Sequence, residues 1–112
     1  MRIVSPIVPM PPTTGTEPCV NADCFFPEDY SPTGAEVVAA KAMCGKCPII
    51  QLCLIWSLAH PVLAEEGIWG ATTPGQRRTL RHELRHRLGI EGMEKGLRSA
   101  YERAMTEHRA AA

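Results

Sequence analysis

Cys44-Gly45-Lys46-Cys47-Pro48-Ile49-Ile50-Gln51-Leu52-Cys53 sets three thiols in the spacing C-x2-C-x5-C. The two-residue gap lets the first two thiolates converge on one metal or on neighbouring irons of a cluster. Two further cysteines, Cys19 and Cys24, lie upstream. The total of 5 is odd, so full internal disulfide pairing is impossible. The amino-terminal stretch MRIVSPIVPMPP is interrupted by prolines and reads as neither a leader nor an anchor. The expected compartment is therefore the reducing cytoplasm, where disulfides are rare and clustered cysteines point to metal ligation. Isolated buried cysteines would be the plainer reading, but four thiols around one short segment are too concentrated for it.

The surrounding sequence supplies helices. Thr33 and Glu36 fit a T-x-x-E capping box before the run Ala35–Cys44, which places Val37, Ala40 and Cys44 on one face. Gly45 is a natural stop. Pro48 suits the first turn of a second helix reaching His60 and ended by Pro61, with Cys47 at a cap-like position. On that helix Ile49, Cys53, Trp56 and His60 share a stripe. Thr73, Pro74 and Gln76 announce a third helix over 75–88, closed by Gly89, and Met93–Arg109 is a last amphipathic segment. No strand-like alternation and no repeat is present. The expected fold is all-α: a small domain of three to four short helices around a metal centre.

The 112 residues allow one small domain, which buries only part of its surface. With 10 Pro, 9 Gly and few aromatics, packing alone is a weak support, so a staple is expected. No apolar run reaches the roughly 18–20 residues of a membrane span. The expected organisation is a disordered Pro-rich arm over 1–18, a cysteine-bearing unit over 19–72, and a basic helix plus amphipathic helix over 73–112. Charge divides along the same line. Residues 1–70 carry 3 basic against 7 acidic side chains, net −4; residues 71–112 carry 9 against 5, net +4. Such a split suggests two kinds of partner.

Zinc and an iron–sulfur cluster both accept four thiolates, and spacing does not separate them. A C-x2-C thiol oxidoreductase is a third reading, but such motifs accompany a βαβ pattern that is missing here. Neither a Ser–His–Asp arrangement nor paired carboxylates nor a phosphate-binding glycine loop is apparent, so an enzyme is not expected. His60 before Pro61 reads as a capping or solvent residue, and His82, His86 and His108 sit among charges.

Taken together, C-x2-C-P with a third cysteine five residues on, Phe25-Phe26-Pro27 upstream, Gly67-Ile68-Trp69-Gly70 downstream and a basic helix after it resemble the WhiB-like regulators of actinobacteria. The resemblance covers about residues 19–88. It implies a 4Fe–4S cluster responsive to redox state or nitric oxide, and a role in transcription. By position, Cys44, Cys47 and Cys53 match the second, third and fourth ligands. Cys19 best matches the first, with Cys24 as the alternative. The resemblance further implies binding to the C-terminal domain of the primary sigma factor of RNA polymerase through Trp69, Phe25 and Phe26, with Gly67, Ile68 and Gly70 shaping the turn. Two departures stand out. Ala71 occupies a position usually held by glycine, and the distance from Cys19 to Phe25 is about two residues short.

Arg77–Arg87 holds five arginines and one glutamate. Arg77, Arg81 and Arg85 form one helical stripe, widened by Arg78 and His82, opposite a Leu80, Leu84, Leu88 face expected to dock on the body. The functional reading is contact with DNA phosphates; the plainer one is a solvated helix face.

Overall fold

The structure is a computed structural model that describes residues 8–20, 22 and 24–111. Among these residues it contains three helices and no strand: α1 (Ala35–Gly45), α2 (Ile50–Ala59) and α3 (Pro74–Ala111). The all-α expectation holds. No single helix among the described residues is long and apolar enough to cross a membrane.

α1 buries Val37, Ala40 and Cys44, the face expected from their spacing. Its start differs from the expectation. Gly34 is the cap, in extended geometry, and no side chain caps the helix. With Gly34 at that position Glu36 falls one residue short of the reciprocal place that a capping box requires. Gly45 remains helical; the end is made by tight turns, with Lys46 N–H donating to Met43 O and Cys47 N–H to Cys44 O. The chain then bends by 117° into α2.

α2 begins at Ile50, two residues later than expected, because Cys47–Ile50 forms its own turn (Ile50 N to Cys47 O, 3.3 Å). Pro48 sits inside that turn, where its missing N–H leaves nothing unsatisfied. The helix buries Leu52, Trp56, Ser57 and Leu58.

α3 starts with the expected reciprocal cap: Thr73 N–H donates to Gln76 Oε1 (2.9 Å) and Gln76 N–H to Thr73 Oγ1 (3.2 Å). The two helices expected here are one element broken at Gly89, whose φ of 75° and ψ of 171° are not helical. Glycine takes this positive φ without steric penalty. The arm after the break returns to α2 and buries Leu97, Tyr101 and Ala104.

Two apolar clusters result. One gathers Val8, Ile49, Leu52, Trp56, Ala64, Tyr101 and Ala104. The other gathers Phe25, Val37, Ala40, Cys44 and Ile68. Of the expected arm, residues 1–7 lie outside the described residues. Residues 8–18 form no helix or strand but are attached to the body: Val8 is wholly buried, His60 Nε2 donates to Val8 O (2.8 Å), and Tyr101 Oη donates to Met10 O (3.2 Å).

Candidate metal centre

α1, the bend and α2 bring three thiols to one place. Cys44 comes from the last turn of α1, Cys47 from the bend and Cys53 from the first full turn of α2. Cys19 arrives on a turn closed by Val20 N–H to Glu17 O and Ala22 N–H to Cys19 O. These four cysteines, with Phe25, Met43, Ile49, Ile50, Ile68 and Gly70, line a cavity of about 50 Å³. Cys19 is its solvent-facing rim; Cys44 is buried, and Cys47 and Cys53 are half-buried. Cys24 does not line it. It packs instead against the cluster of Phe25, Val37 and Ile68.

Burial pushes the Cys53 thiol up to about 11, and burial likewise raises Cys44. Cys19 rises through burial and then through its neighbour Cys47. These thiols repel one another's negative charge, so their joint ionisation requires a cation among them. Two backbone amides already oppose the rise: Gly70 faces Cys53 and Ala71 faces Cys44. Both suit a sulfur carrying negative charge.

The donor set fits an iron–sulfur cluster. Four soft thiols line one cavity, and thiolates are the ligands that such clusters take. Zinc accepts four thiolates as well. His60 is occupied elsewhere, bonded to Val8 O and packed at a tilt against Trp56 with ring centroids 4.8 Å apart.

The turn beside the cavity is displaced from its expected place. Its two central residues are Gly70 (φ 54°) and Ala71 (φ 61°), between a bridged pair, Trp69 and Thr72. Trp69 N–H donates to Thr72 O (3.1 Å) and Thr72 N–H to Trp69 O (2.9 Å). Positive φ at both central positions is the I′ geometry, which favours glycine at each. Ala71 therefore occupies a left-handed position at some strain. Ile68 is buried and donates its N–H to Phe25 O (2.8 Å). Gly67 N–H donates to Tyr30 Oη (2.7 Å).

The aromatic residues separate. Phe25 is 6% exposed, in the core, which removes it from the surface expected to meet a partner. Phe26 is 66% exposed. Trp69 is half-buried, its ring tilted by 36° against Trp56 with centroids 5.2 Å apart, and its Nε1 donates to Glu66 O (2.8 Å). Phe26 and Trp69 both crowd Gly67: a Cβ there would stand 2.8 Å from Phe26 Cε1 and 3.1 Å from Trp69 Nε1. Both rings thus lie beside Gly67.

The arginine stripe is corrected by the structure. Arg77 is wholly buried. Its Nη1 donates to Thr72 O (2.6 Å), and its Nη2 donates to Gly67 O (2.8 Å) and Ala64 O (3.0 Å). Burial, then the nearby Arg81, pull its pKa down to about 10, so it stays cationic at neutral pH. Arg81 is half-buried and donates to Ser57 O (2.7 Å) and Leu58 O (3.0 Å), carbonyls in the last turn of α2. Neither faces solvent as a phosphate contact would. Arg78 and Arg85 do, along with His82 and His86, whose rings stack at 6.4 Å. The leucine face is correspondingly weaker than expected, with Leu80 and Leu84 half-buried and Leu88 exposed. The overlooked signal is the segment before α3. A loop of few regular hydrogen bonds leaves carbonyls in need of donors, and the five-donor guanidinium of an arginine one turn into the next helix can serve several at once.

The chain is similar to known transcriptional regulators. Residues 13–80 match the family model described as transcription factor WhiB. The chain is 35% identical over 62 residues to transcriptional regulator WhiB1 of Mycobacterium tuberculosis, covering 54% of this chain and 71% of that protein. It is 35% identical over 71 residues to transcriptional regulator WhiB2 of Bifidobacterium longum, covering 62% of this chain and 66% of that one. No solved structure matches. The matched span contains all four cavity cysteines, the Trp69 turn and the buried Arg77, and on that basis the chain belongs to the WhiB family of transcription factors.

Proposed function

We propose that this chain is a transcriptional regulator that holds a 4Fe–4S cluster on Cys19, Cys44, Cys47 and Cys53 and works with the primary sigma factor. The observation that carries the reading is the cavity lined by four thiols from separate segments, two of them faced by backbone amides. When bound, the cluster supplies a redox-active, nitric-oxide-sensitive group. The chain's own part is to order it and to be ordered by it. The ligands tie residue 19, α1, the bend and α2 together, so loss of the cluster loosens the wall on which the Trp69 turn rests.

Phe26 and Trp69 form the surface offered to the C-terminal domain of the sigma factor, supported from beneath by Phe25, Gly67, Ile68 and Gly70. DNA phosphate contact falls to the exposed Arg78 and Arg85. These two supply attraction without base readout, so promoter choice comes from the sigma factor. The reading implies a working place in the reducing cytoplasm.

Anaerobic purification tests the centre. A brown protein with about four irons and four sulfides per chain is expected, as four thiolate ligands on a cubane require. Stoichiometric zinc under the same conditions would overturn it.

A further inference from the structure

Among the described residues, the most heavily bonded side chain is Arg77. It is 0% exposed, and its guanidinium reaches Ala64, Gly67 and Thr72 through their carbonyls, with Thr72 Oγ1 also at 3.3 Å. Its Nε is buried with no partner. An arrangement that leaves one donor unsatisfied is retained only where the other bonds matter. The three carbonyls belong to the segment 64–72 and bracket Trp69, Gly70 and Ala71. That segment does two things: its amides at Gly70 and Ala71 face the cysteine sulfurs, and its Trp69 flanks Phe26 on the outer surface. Its other bonds to the body, among them Ala64 N–H to His60 O, Gly67 N–H to Tyr30 Oη and Ile68 N–H to Phe25 O, lie before the Trp69–Thr72 turn.

We infer that Arg77 is the positioning residue of this regulator: its guanidinium latches segment 64–72 onto α3, holding the Gly70 and Ala71 amides on the cysteine cavity and Trp69 on the partner surface at the same time. The latch depends on shape as well as charge. Two nitrogens of a rigid fork serve three carbonyls spread over nine residues of chain. A lysine ammonium is a compact point charge with donors radiating from one atom, and it cannot span them. The inference rests on the proposed cluster and sigma partnership for its consequence, but not for the latch itself.

Amide hydrogen exchange on the full chain, as purified, measures the latch directly. In Arg77→Met, amides of 66–72 should exchange at least about tenfold faster, while those of α1 keep their wild-type rates, because local opening reports the bonds lost there. Arg77→Lys should behave like Arg77→Met, and both should bind the sigma factor domain at least about tenfold more weakly. A lysine variant equal to wild type in exchange and binding would overturn the inference, since charge alone would then suffice. Equal acceleration in the loop and in α1, or loss of helical signal in both variants, would also overturn it and make Arg77 an ordinary core residue. Faster loop exchange with unchanged sigma binding would sink the claim that the latch positions Trp69. If wild-type protein itself fails to bind the sigma domain, the proposed partnership fails, and the exchange pattern still decides the latch.

Discussion

Gly70 lies directly on Leu54. A Cβ at residue 70 would stand 2.5 Å from Leu54 Cβ, 2.6 Å from its Cα and 2.7 Å from its backbone N. The Trp69 turn thus rests on the backbone of α2 with no room for a side chain. Gly70→Ala should destabilise the domain by roughly 2–4 kcal/mol, combining overpacking with a positive φ. Thermal melting checks this. An unchanged melting temperature would mean that the turn can re-form away from Leu54.

The neighbouring position behaves in the opposite sense. Ala71 holds a φ of 61°, and its methyl is half-buried against the cluster of Phe25 and Ile68. Ala71→Gly relieves the left-handed strain and gives up one methyl contact. We expect a net gain of roughly 0.5–1 kcal/mol, seen as a rise of a few degrees in melting temperature. A lower melting temperature would show that methyl packing outweighs the backbone strain.

Cys19 lines the cavity and Cys24 does not. Cys19→Ser should therefore abolish the visible absorption of the anaerobic protein, whereas Cys24→Ser should retain most of its iron. The reverse pattern, read from iron content and spectrum, would transfer the first ligand to Cys24.

The arginines of α3 should separate into two phenotypes. Arg81 donates to Ser57 O and Leu58 O, where a cation also meets the carboxy-terminal dipole of α2. Arg81→Ala should lower stability by about 2 kcal/mol, with little effect on the salt dependence of DNA binding. Replacing the exposed Arg78 and Arg85 by Gln should do the converse. Melting should hardly move, and the slope of log affinity against log salt for the sigma complex on DNA should fall by up to about 1.8, near 0.9 per lost phosphate contact. An unaltered slope would leave that face merely solvated.

Trp69 is held by Trp56 at 5.2 Å as well as offered outward. Trp69→Ala should weaken sigma binding at least roughly thirtyfold, the effect of losing about 2 kcal/mol of aromatic anchor. Titration of labelled sigma domain measures it. Full affinity in the variant would assign Trp69 to the core alone.

The helices, the Thr73 cap and the grouping of Cys44, Cys47 and Cys53 were legible because each depends on neighbours within a turn or two of chain. Thr73 and Gln76 sit where a reciprocal cap needs them, and Val37, Ala40 and Cys44 repeat at helical spacing. What escaped depends on distant partners. The inward rotation of Arg77 and Arg81 is dictated by carbonyls ten or more residues earlier in the chain, which no local period records. Arginine stripes look alike whether they meet solvent or the backbone of a loop. The Thr33–Glu36 box failed by a single residue, since Gly34 can itself begin a helix. The attachment of residues 8–10 was hidden for a further reason: their partners, among them Leu52, Trp56, His60 and Tyr101, all lie far along the chain.

That attachment also fixes an order of events during synthesis. The cysteine cavity draws on residues 19 to 70, with its last facing amide at Ala71. Together with Arg77, which bonds the segment carrying those amides, it draws on no residue beyond 77. The cluster of Val8, Leu52 and Trp56 must wait for Tyr101 and Ala104. A growing chain therefore has its cysteine cavity lined while Trp56 and Leu52 are still uncovered. The returning arm of α3 then covers them. A released chain truncated between residues 80 and 95 would present that open form.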